Sequence, residues 1–478
     1  MAENRKHENN EHDVLHLTNA PQAHGDVAVP GSKSIANRAL LLAALAEGTT
    51  VLEHMLDSDD TKRMREALSA LGVGISNFDN SNSATLKVTG VGGLFTAAGA
   101  GTAQSQQLPL ELFLGNAGTA MRPLVAMLAA SAGEFILTGE PRMYERPIGP
   151  LVTALQEAGA RIEYLQEPGY PPLRIIGARC TAMAPNNLEP KTVAFQNSLH
   201  SNAYNTLTNQ LTIDGSMSSQ YVSALLMLLP FLGEDAQLTL TGEIVSEPYI
   251  ALTVAMMGAF GVRVERPEQR VFRVEGKQHY RSPKQYWIEG DASSASYFLA
   301  AGAIAAGPVT VHGVGTESLQ GDKQFAEVLA AMGANVEWQP RSISVSAGAN
   351  GLQGGIFDLN HIPDAAMTIA TTALFAKGST EIRNVANWRL KETDRLHAMA
   401  TELRKTGAEV AEGEDWLRIT PPADIQHAQI ATYDDHRMAM CFALLMFAQN
   451  GVSIEDPNCC RKTYPHFFSD LSAIVHSN

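Results

Sequence analysis

Six times along this chain a run of Ala, Leu, Met and Val is apolar on most helical faces and reaches a glycine at or near its end. The runs open at PGSKSIANRALLLAALAEG from Pro30 and near Thr119 (TAMRPLVAMLAASAG), Ser219 (SQYVSALLMLLPFLG), Ser293 (SSASYFLAAGAIAAG), Asp364 (DAAMTIATTALFAKG) and Asp435 (DHRMAMCFALLMFAQNG). A helix apolar on every side must be enclosed by protein. The fold therefore needs six interior helices, each with a coat of other elements. Each run opens on Ser, Thr or Asp, the residues that cap helix starts, with Ser32 or Ser34 suited to the first.

A second, amphipathic series supplies the coat. Its members share an ending of a large apolar residue, three residues, Gly, then a short β-like run. The endings are Leu68 to Gly72 (then VGI), Leu155 to Gly159 (ARI), Met257 to Gly261 (VRV), Leu329 to Gly333 (ANV) and Leu403 to Gly407 (AEV). Such a glycine suits the left-handed position after a helix, and the branched residues suit a strand. The last unit is incomplete and ends in a helix expected over His466 to Val475. The chain thus reads as six copies of strand, interior helix, strand, amphipathic helix, strand. Two stretches fall outside the pattern and read as surface insertions: Cys180 to Gln210 and Thr96 to Gln107.

At 478 residues the chain exceeds one compact core. Six units divide into two domains of three, with the midpoint near Gly290. A net charge of −15 excludes non-specific nucleic-acid binding, which needs a basic surface. Cys180, Cys441, Cys459 and Cys460 lack the paired spacing of a zinc site and suit a reducing compartment. The first 14 residues carry no apolar signal-peptide core, and His7, His12 and His16 read as a solvated tail rather than a metal site. The apolar run Val222 to Leu232 is too short to span a bilayer and is broken by Pro230. These features describe a cytoplasmic protein with no membrane segment.

The chemistry gathers at the helix starts. Lys33, Arg38, Arg122, Arg146, Lys391, Arg395, Arg437 and Lys462 lie there. A cation at a helix N-terminus opposes the macrodipole unless an anion sits between them. The segment NWRLKETDR, from Asn387 to Arg395, sets cations beside a carboxylate for no structural reason. Other residues have plainer readings: Arg122 covering a helix face, Tyr249 a packed aromatic, Asp435 a cap and His436 a structural histidine. Gly313 and Gly315 lack the third glycine of a dinucleotide fingerprint, PGSKS is no Walker loop, and GxSxG and HExxH are absent.

PGSKSIANRALLLAALA, LGNAGTAMRPL, GEPRMYERPIGPL, GSMSSQ, HIPDAAMTIA, NWRLKETDRL, DDHRMAM and DPNCCRKTYPHFF follow in order along almost the whole chain. Together they closely resemble the 5-enolpyruvylshikimate-3-phosphate synthases, or 3-phosphoshikimate 1-carboxyvinyltransferases. The resemblance implies an α/β fold of two similar domains, each an inside-out α/β barrel of three βαβαββ units around buried helices. It implies an active site in the interdomain cleft, and two chain crossings that send the N-terminal strand to the C-terminal domain. The expected boundaries are 32–289 for one domain, and 1–31 with 290–478 for the other.

The implied reaction is phosphoenolpyruvate plus shikimate 3-phosphate giving the enolpyruvyl ether and phosphate, through a tetrahedral intermediate. Shikimate 3-phosphate is then matched to Lys33, Ser34, Arg38, Ser218, Ser219, Gln220, Ser246, Tyr249, Asp364, Asn387 and Lys391. Phosphoenolpyruvate is matched to Lys33, Gly118, Arg146, Gln220, Glu392, Arg395, His436, Arg437 and Lys462. Asp364 resembles the base for the 5-hydroxyl and Glu392 the acid for the methylene carbon, with Lys33 a partner in proton transfer. No metal or organic cofactor is implied, and a monomer is expected. Gly118 and Pro123 match the glyphosate-sensitive class, making glyphosate the expected inhibitor. Departures from the pattern are the long N-terminus, the 180–210 insertion and Glu247 where some relatives carry Lys.

Two alternatives stand beside this reading. UDP-N-acetylglucosamine enolpyruvyl transferases usually carry Gly-Ala-Lys-Asn at the first motif and a reactive loop cysteine. Here the motif is GSKS, and no cysteine lies between 109 and 150. A non-catalytic sugar-phosphate-binding protein would keep Lys33 and Arg38 but needs no Asp364 and Glu392 together.

Overall fold

A computed structural model describes residues 13–79, 82–97, 108–179, 207–233 and 235–476. Among these, twelve α-helices follow one another: α1 (Lys33–Leu45), α2 (Asp59–Ala70), α3 (Gly118–Ala130), α4 (Gly149–Glu157), α5 (Ser219–Leu228), α6 (Glu247–Ala259), α7 (Ala292–Ile304), α8 (Phe325–Ala331), α9 (Ala366–Thr372), α10 (Arg395–Lys405), α11 (His436–Ala443) and α12 (Phe467–Ile474). The odd-numbered helices are the six apolar runs. In α1 every residue from Ile35 to Leu45 is buried, and α9 and α11 are buried along their whole length. Ala and Leu favour this state because they lose little side-chain entropy in a helix and carry no polar atoms. Pro230, lacking an N–H, turns the end of α5 into the 3-10 turn Leu229–Phe231.

The even-numbered helices bury one face each. In α2 that face is Met64, Ala67 and Leu68, and in α12 it is Phe467, Leu471 and Ile474. The outer face of α6 is lined by exposed Ala251, Ala255, Gly258 and Ala259 rather than by charges. All five glycines expected after these helices take positive φ, from 84° at Gly261 to 104° at Gly333. Gly72 is typical: Val73 N–H turns back to Leu68 O at 3.0 Å, and strand Gly74–Asp79 leaves at once. After Gly261 the same cap bond joins Val262 N to Met257 O at 2.9 Å, Arg263 N donates to Gln278 Oε1 at 2.6 Å, and the strand starts later, at Glu265–Glu268.

Each sheet repeats one plan, seen plainly in the second. Leu110–Phe113 leads through α3 to its parallel neighbour Glu134–Thr138. After α4, Arg161–Tyr164 and Leu173–Ile176 add antiparallel strands, giving the spatial order first, second, fourth, third. Two sheets borrow their first strand. Gln285–Trp287 pairs in parallel with Thr49–Glu53, and Gln22–Ala28 pairs in parallel with Ala306–His312. In the sixth sheet, among the described residues, the antiparallel hairpin is missing, and Val14–Leu17 lies antiparallel to Val452–Glu455 in its place.

The described residues form two compact units with separate apolar cores. One comprises Pro30–Asp291 with Leu319–Gly321; the other comprises 13–29, 292–318 and 322–476. Several local expectations are corrected. Ser32 stands at the N-cap of α1, yet no side-chain bond caps that helix. The first turn of α3 begins at Gly118 after Ala117, without a hydroxyl cap. Asp364 precedes α9 by two residues and does not cap it. His16 belongs to a strand, its Nδ1 2.8 Å from Ser453 Oγ. His7, His12, residues 180–206 and residues 98–107 lie outside the described residues, while Gln210 already opens the strand Gln210–Asp214. No helix among the described residues is long and apolar enough to cross a membrane.

Candidate functional site

In the unit built on Pro30–Asp291, the starts of α1, α3 and α5 are tied together by polar side chains. Asn37 donates to Thr119 Oγ1 at 2.6 Å, joining α1 to α3. Arg38 is buried: Nε donates to Thr253 Oγ1 at 2.9 Å, Nη2 to Ser223 Oγ at 3.1 Å and Nη1 to Ser34 O at 3.0 Å. These three acceptors are neutral, and burial pushes the Arg38 guanidinium down to about 10, an effect the Tyr249 phenol opposes. An anion nearby would relieve that penalty. Lys33, on the first turn of α1, lies 3.3 Å from Asp60 Oδ2 on α2.

Arg146 is buried, and Nη1 donates to both Asn116 O and Asn116 Oδ1 at 2.8 Å. Arg122 Nη2 and Tyr221 Oη both donate to Pro147 O, at 3.1 and 2.6 Å. Arg122 is thus a brace for the Arg146 segment rather than a face cover. Gly118 meets both guanidiniums: a Cβ there would sit 2.8 Å from Arg122 Nη1 and 2.8 Å from Arg146 Nη2. Ser218 caps α5 by accepting from Gln220 N at 3.2 Å. Ser219 is buried, Gln220 and Tyr249 are half-buried, and Ser246 enters α6 in the left-handed conformation at φ 52°. Four cations, Lys33, Arg38, Arg122 and Arg146, therefore stand together at these helix starts, with Asp60 paired to the first of them. The set favours anions.

The other unit gathers its predicted residues into one network. Asp364 Oδ1 accepts from Arg395 Nη1 at 3.0 Å and lies 3.3 Å from Lys391 Nζ, while Oδ2 accepts from Arg437 Nη2 at 3.0 Å. Glu392 Oε2 accepts from Arg395 Nη2 at 2.8 Å, and its Oε1 is 3.7 Å from Lys462 Nζ. Burial by itself would raise the Asp364 pKa, but Arg437, Lys391 and Arg395 together hold the carboxyl well below its usual range, against some opposition from Glu392. Asn387 is half-buried in the 3-10 turn Ala386–Leu390 that leads to Lys391. Arg389 of the same motif grips Asp394 and the carbonyls of Gly413 and Glu414, a structural duty. His436 is buried, with Nδ1 3.7 Å from Asp435 Oδ1.

Asp435 does more than cap. It accepts from Arg437 N at 3.0 Å, as a cap should, and also clasps Arg395 through Nε–Oδ2 at 2.7 Å and Nη2–Oδ1 at 3.2 Å. Tyr297 is a further residue that sequence reading passes over, accepting from Arg437 Nη1 at 3.1 Å. Asp60 is a third. Its signal was a carboxylate pair opening α2, which reads equally well as ordinary helix-start chemistry. Among the described residues no group of three or more His, Cys, Asp or Glu is disposed to hold a metal ion.

Known proteins resemble the chain along nearly its full length. The sequence pattern of the EPSP synthase (3-phosphoshikimate 1-carboxyvinyltransferase) family matches residues 18–471. A 3-phosphoshikimate 1-carboxyvinyltransferase of Serratia proteamaculans is 52% identical over 462 residues, covering 97% of this chain and 99% of the relative. One from Colwellia psychrerythraea is 51% identical over 460 residues, covering 96% and 99%. Among solved structures, EPSP synthase from Acinetobacter baumannii superposes with a TM-score of 0.72 at 24% identity, over 97% of this chain and 98% of that one. The enolpyruvyl transferase NikO from Streptomyces tendae gives 0.69 at 16%, over 96% of each. Those two likenesses concern the fold.

Proposed function

The chain belongs to the EPSP synthase (3-phosphoshikimate 1-carboxyvinyltransferase) family, and from that premise we propose how its residues divide the work. It transfers the enolpyruvyl group of phosphoenolpyruvate to the 5-hydroxyl of shikimate 3-phosphate and releases phosphate. The observation that carries the assignment of roles is that one buried guanidinium, Arg395, holds Asp364 at 3.0 Å and Glu392 at 2.8 Å, with Lys391, Arg437 and Lys462 around them.

Asp364 takes the proton of the 5-hydroxyl as that oxygen bonds to C2 of phosphoenolpyruvate, while Glu392, in its protonated form, gives a proton to C3. The product of addition is tetrahedral at C2. Glu392 then recovers a proton from C3, the C2–O bond to phosphate breaks, the proton held by Asp364 passes to the released phosphate, and the enol ether remains. In the free enzyme Asp364 is a counter-ion for three cations and a weak base. Substrate anions that engage Arg437, Lys391 or Arg395 loosen that hold, so the carboxylate gains basicity as substrates arrive. One cation ~4 Å from a phosphate or carboxylate contributes roughly 4 kcal/mol at an effective dielectric near 20, before desolvation. Several are therefore required, and guanidiniums suit the forked anions.

Lys33, Ser34, Arg38, Ser218, Ser219, Gln220, Ser246, Tyr249, Asn387 and Lys391 serve shikimate 3-phosphate in this reading. Lys33, Gly118, Arg146, Gln220, Arg395, His436, Arg437 and Lys462 serve phosphoenolpyruvate. The proposal extends to glyphosate as an inhibitor at the phosphoenolpyruvate positions, and to a single chain as the working form in the cytoplasm. Phosphate release from phosphoenolpyruvate is the test, with shikimate 3-phosphate or UDP-N-acetylglucosamine as acceptor. Release with shikimate 3-phosphate alone supports the reading. Release only with the nucleotide sugar, or with neither, sinks it.

A further inference from the structure

Glu402 is a carboxylate without exposure, two turns along α10 from Arg395. A spacing of seven residues returns to the same helical face. Glu402 Oε2 accepts from Ala431 N at 3.0 Å and pairs with Lys405 Nζ at 2.6 Å, and Oε1 accepts from Tyr433 Oη at 2.8 Å. The segment it grips is unusual. Thr432 O accepts from Asp435 N at 2.8 Å, closing a four-residue turn whose central residues, Tyr433 and Asp434, have φ of 55° and 54°. Left-handed values at both central positions suit Asn-Gly and similar pairs, not Tyr-Asp. The next residues are Asp435, which clasps Arg395, and Arg437, which holds Asp364.

We propose that Glu402 is a positioning residue: it latches the start of this strained turn, through Ala431 N and Tyr433 Oη, and so sets Asp435 and Arg437 against Arg395 and Asp364. One face of α10 thereby grips the segment 431–435 twice, at Glu402 through its start and at Arg395 through its end. Without the latch the turn relaxes toward right-handed values, and the first turn of α11 rotates away from the carboxylates. The link to catalysis rests on the reaction proposed above; the latch itself does not.

Two measurements on Glu402→Ala, Tyr433→Phe, Asp434→Gly and the double variant Glu402→Ala/Asp434→Gly test this. Separate KM values come from phosphate release, and amide hydrogen exchange is followed over residues 431–438. Glu402→Ala should raise the KM for phosphoenolpyruvate about tenfold and Tyr433→Phe about threefold, with that for shikimate 3-phosphate changed less than about twofold. Exchange at Arg437 and Met438 should quicken in both variants. Asp434→Gly, which accepts left-handed φ freely, should restore much of both readouts in the double variant. Tyr433→Phe keeps the test alive if Glu402→Ala does not fold. Unchanged exchange over 431–438 overturns the latch. An equal rise in both KM values that Asp434→Gly fails to mend shows general damage and overturns the positioning role. An inactive wild type overturns the reaction and the link to catalysis, while exchange still decides the latch.

Discussion

A methyl group at Gly118 would lie 2.8 Å from guanidinium nitrogens of both Arg122 and Arg146. Those side chains are buried and anchored to Pro147 O, Asn116 O and Asn116 Oδ1, so they cannot swing aside freely. Gly118→Ala is expected to displace Arg146 and raise the KM for phosphoenolpyruvate roughly tenfold, weakening glyphosate inhibition alongside. Steady-state kinetics with glyphosate checks it; unchanged inhibition refutes it. For Asp364→Asn the expected loss is about 10²–10⁴ in kcat, the usual worth of a positioned base. It should also destabilise at neutral pH, by leaving Arg395, Arg437 and Lys391 short of a counter-ion. The folded pKa of Asp364 is depressed. Its stabilisation is therefore full above the unfolded value near ~4 and is lost only as pH falls through the lower folded value. Denaturant titrations of both proteins should show a gap that persists to about pH 4 and closes in stronger acid. The cations were legible because each stands where a helix dipole disfavours it. Asp435, Asp60 and Tyr297 were not, because their partners lie far along the chain: Arg395 is 40 residues from Asp435, and Arg437 is 140 from Tyr297.

At the scale of elements the sequence is easiest to read. Interior helices are marked by the want of any polar face, and the glycines that end the outer helices by their spacing. Gly72 has φ 88°, and a methyl group added there would meet nothing within 4 Å, so its substitution isolates the backbone term. Gly72→Ala should cost about 1–2 kcal/mol in equilibrium unfolding, and Gly72→Asn less, because Asn tolerates the left-handed region. A loss near zero would mean that the turn has another low-energy form. The same left-handed penalty, roughly 1–2 kcal/mol, applies at Tyr433, and a smaller one at Asp434. No periodicity announces such a turn, since it depends on a carboxylate 31 residues away. The late start at Glu265–Glu268 is equally silent in the sequence: VRV is branched as a strand should be, but Arg263 N donates to the side chain of Gln278, 15 residues on, rather than to a neighbouring strand.

Over the whole molecule, each unit completes a sheet with a distant strand. Residues 292–478 alone lack Gln22–Ala28, which lies between Ala306–His312 and Val475–His476. They also lack Val14–Leu17 against Val452–Glu455. Unpaired backbone on those edges carries unmet hydrogen bonds. The fragment 292–478 is expected not to unfold cooperatively, and a peptide of residues 13–29 should restore cooperativity. Circular dichroism during urea titration decides; a cooperative transition in the fragment alone refutes the expectation.

That borrowed strand also fixes an order of events during translation. Ala28, the last residue of that strand, leaves the ribosome about 280 residues before Ala306 opens one neighbouring strand and about 450 before His476 closes the other. At ~5–20 residues per second the nascent strand waits roughly 15 to 55 seconds for its first mate. Until then Gln22–Ala28 has neither of its native sheet neighbours, and a chaperone that shields it would act on a strand made before either strand it pairs with.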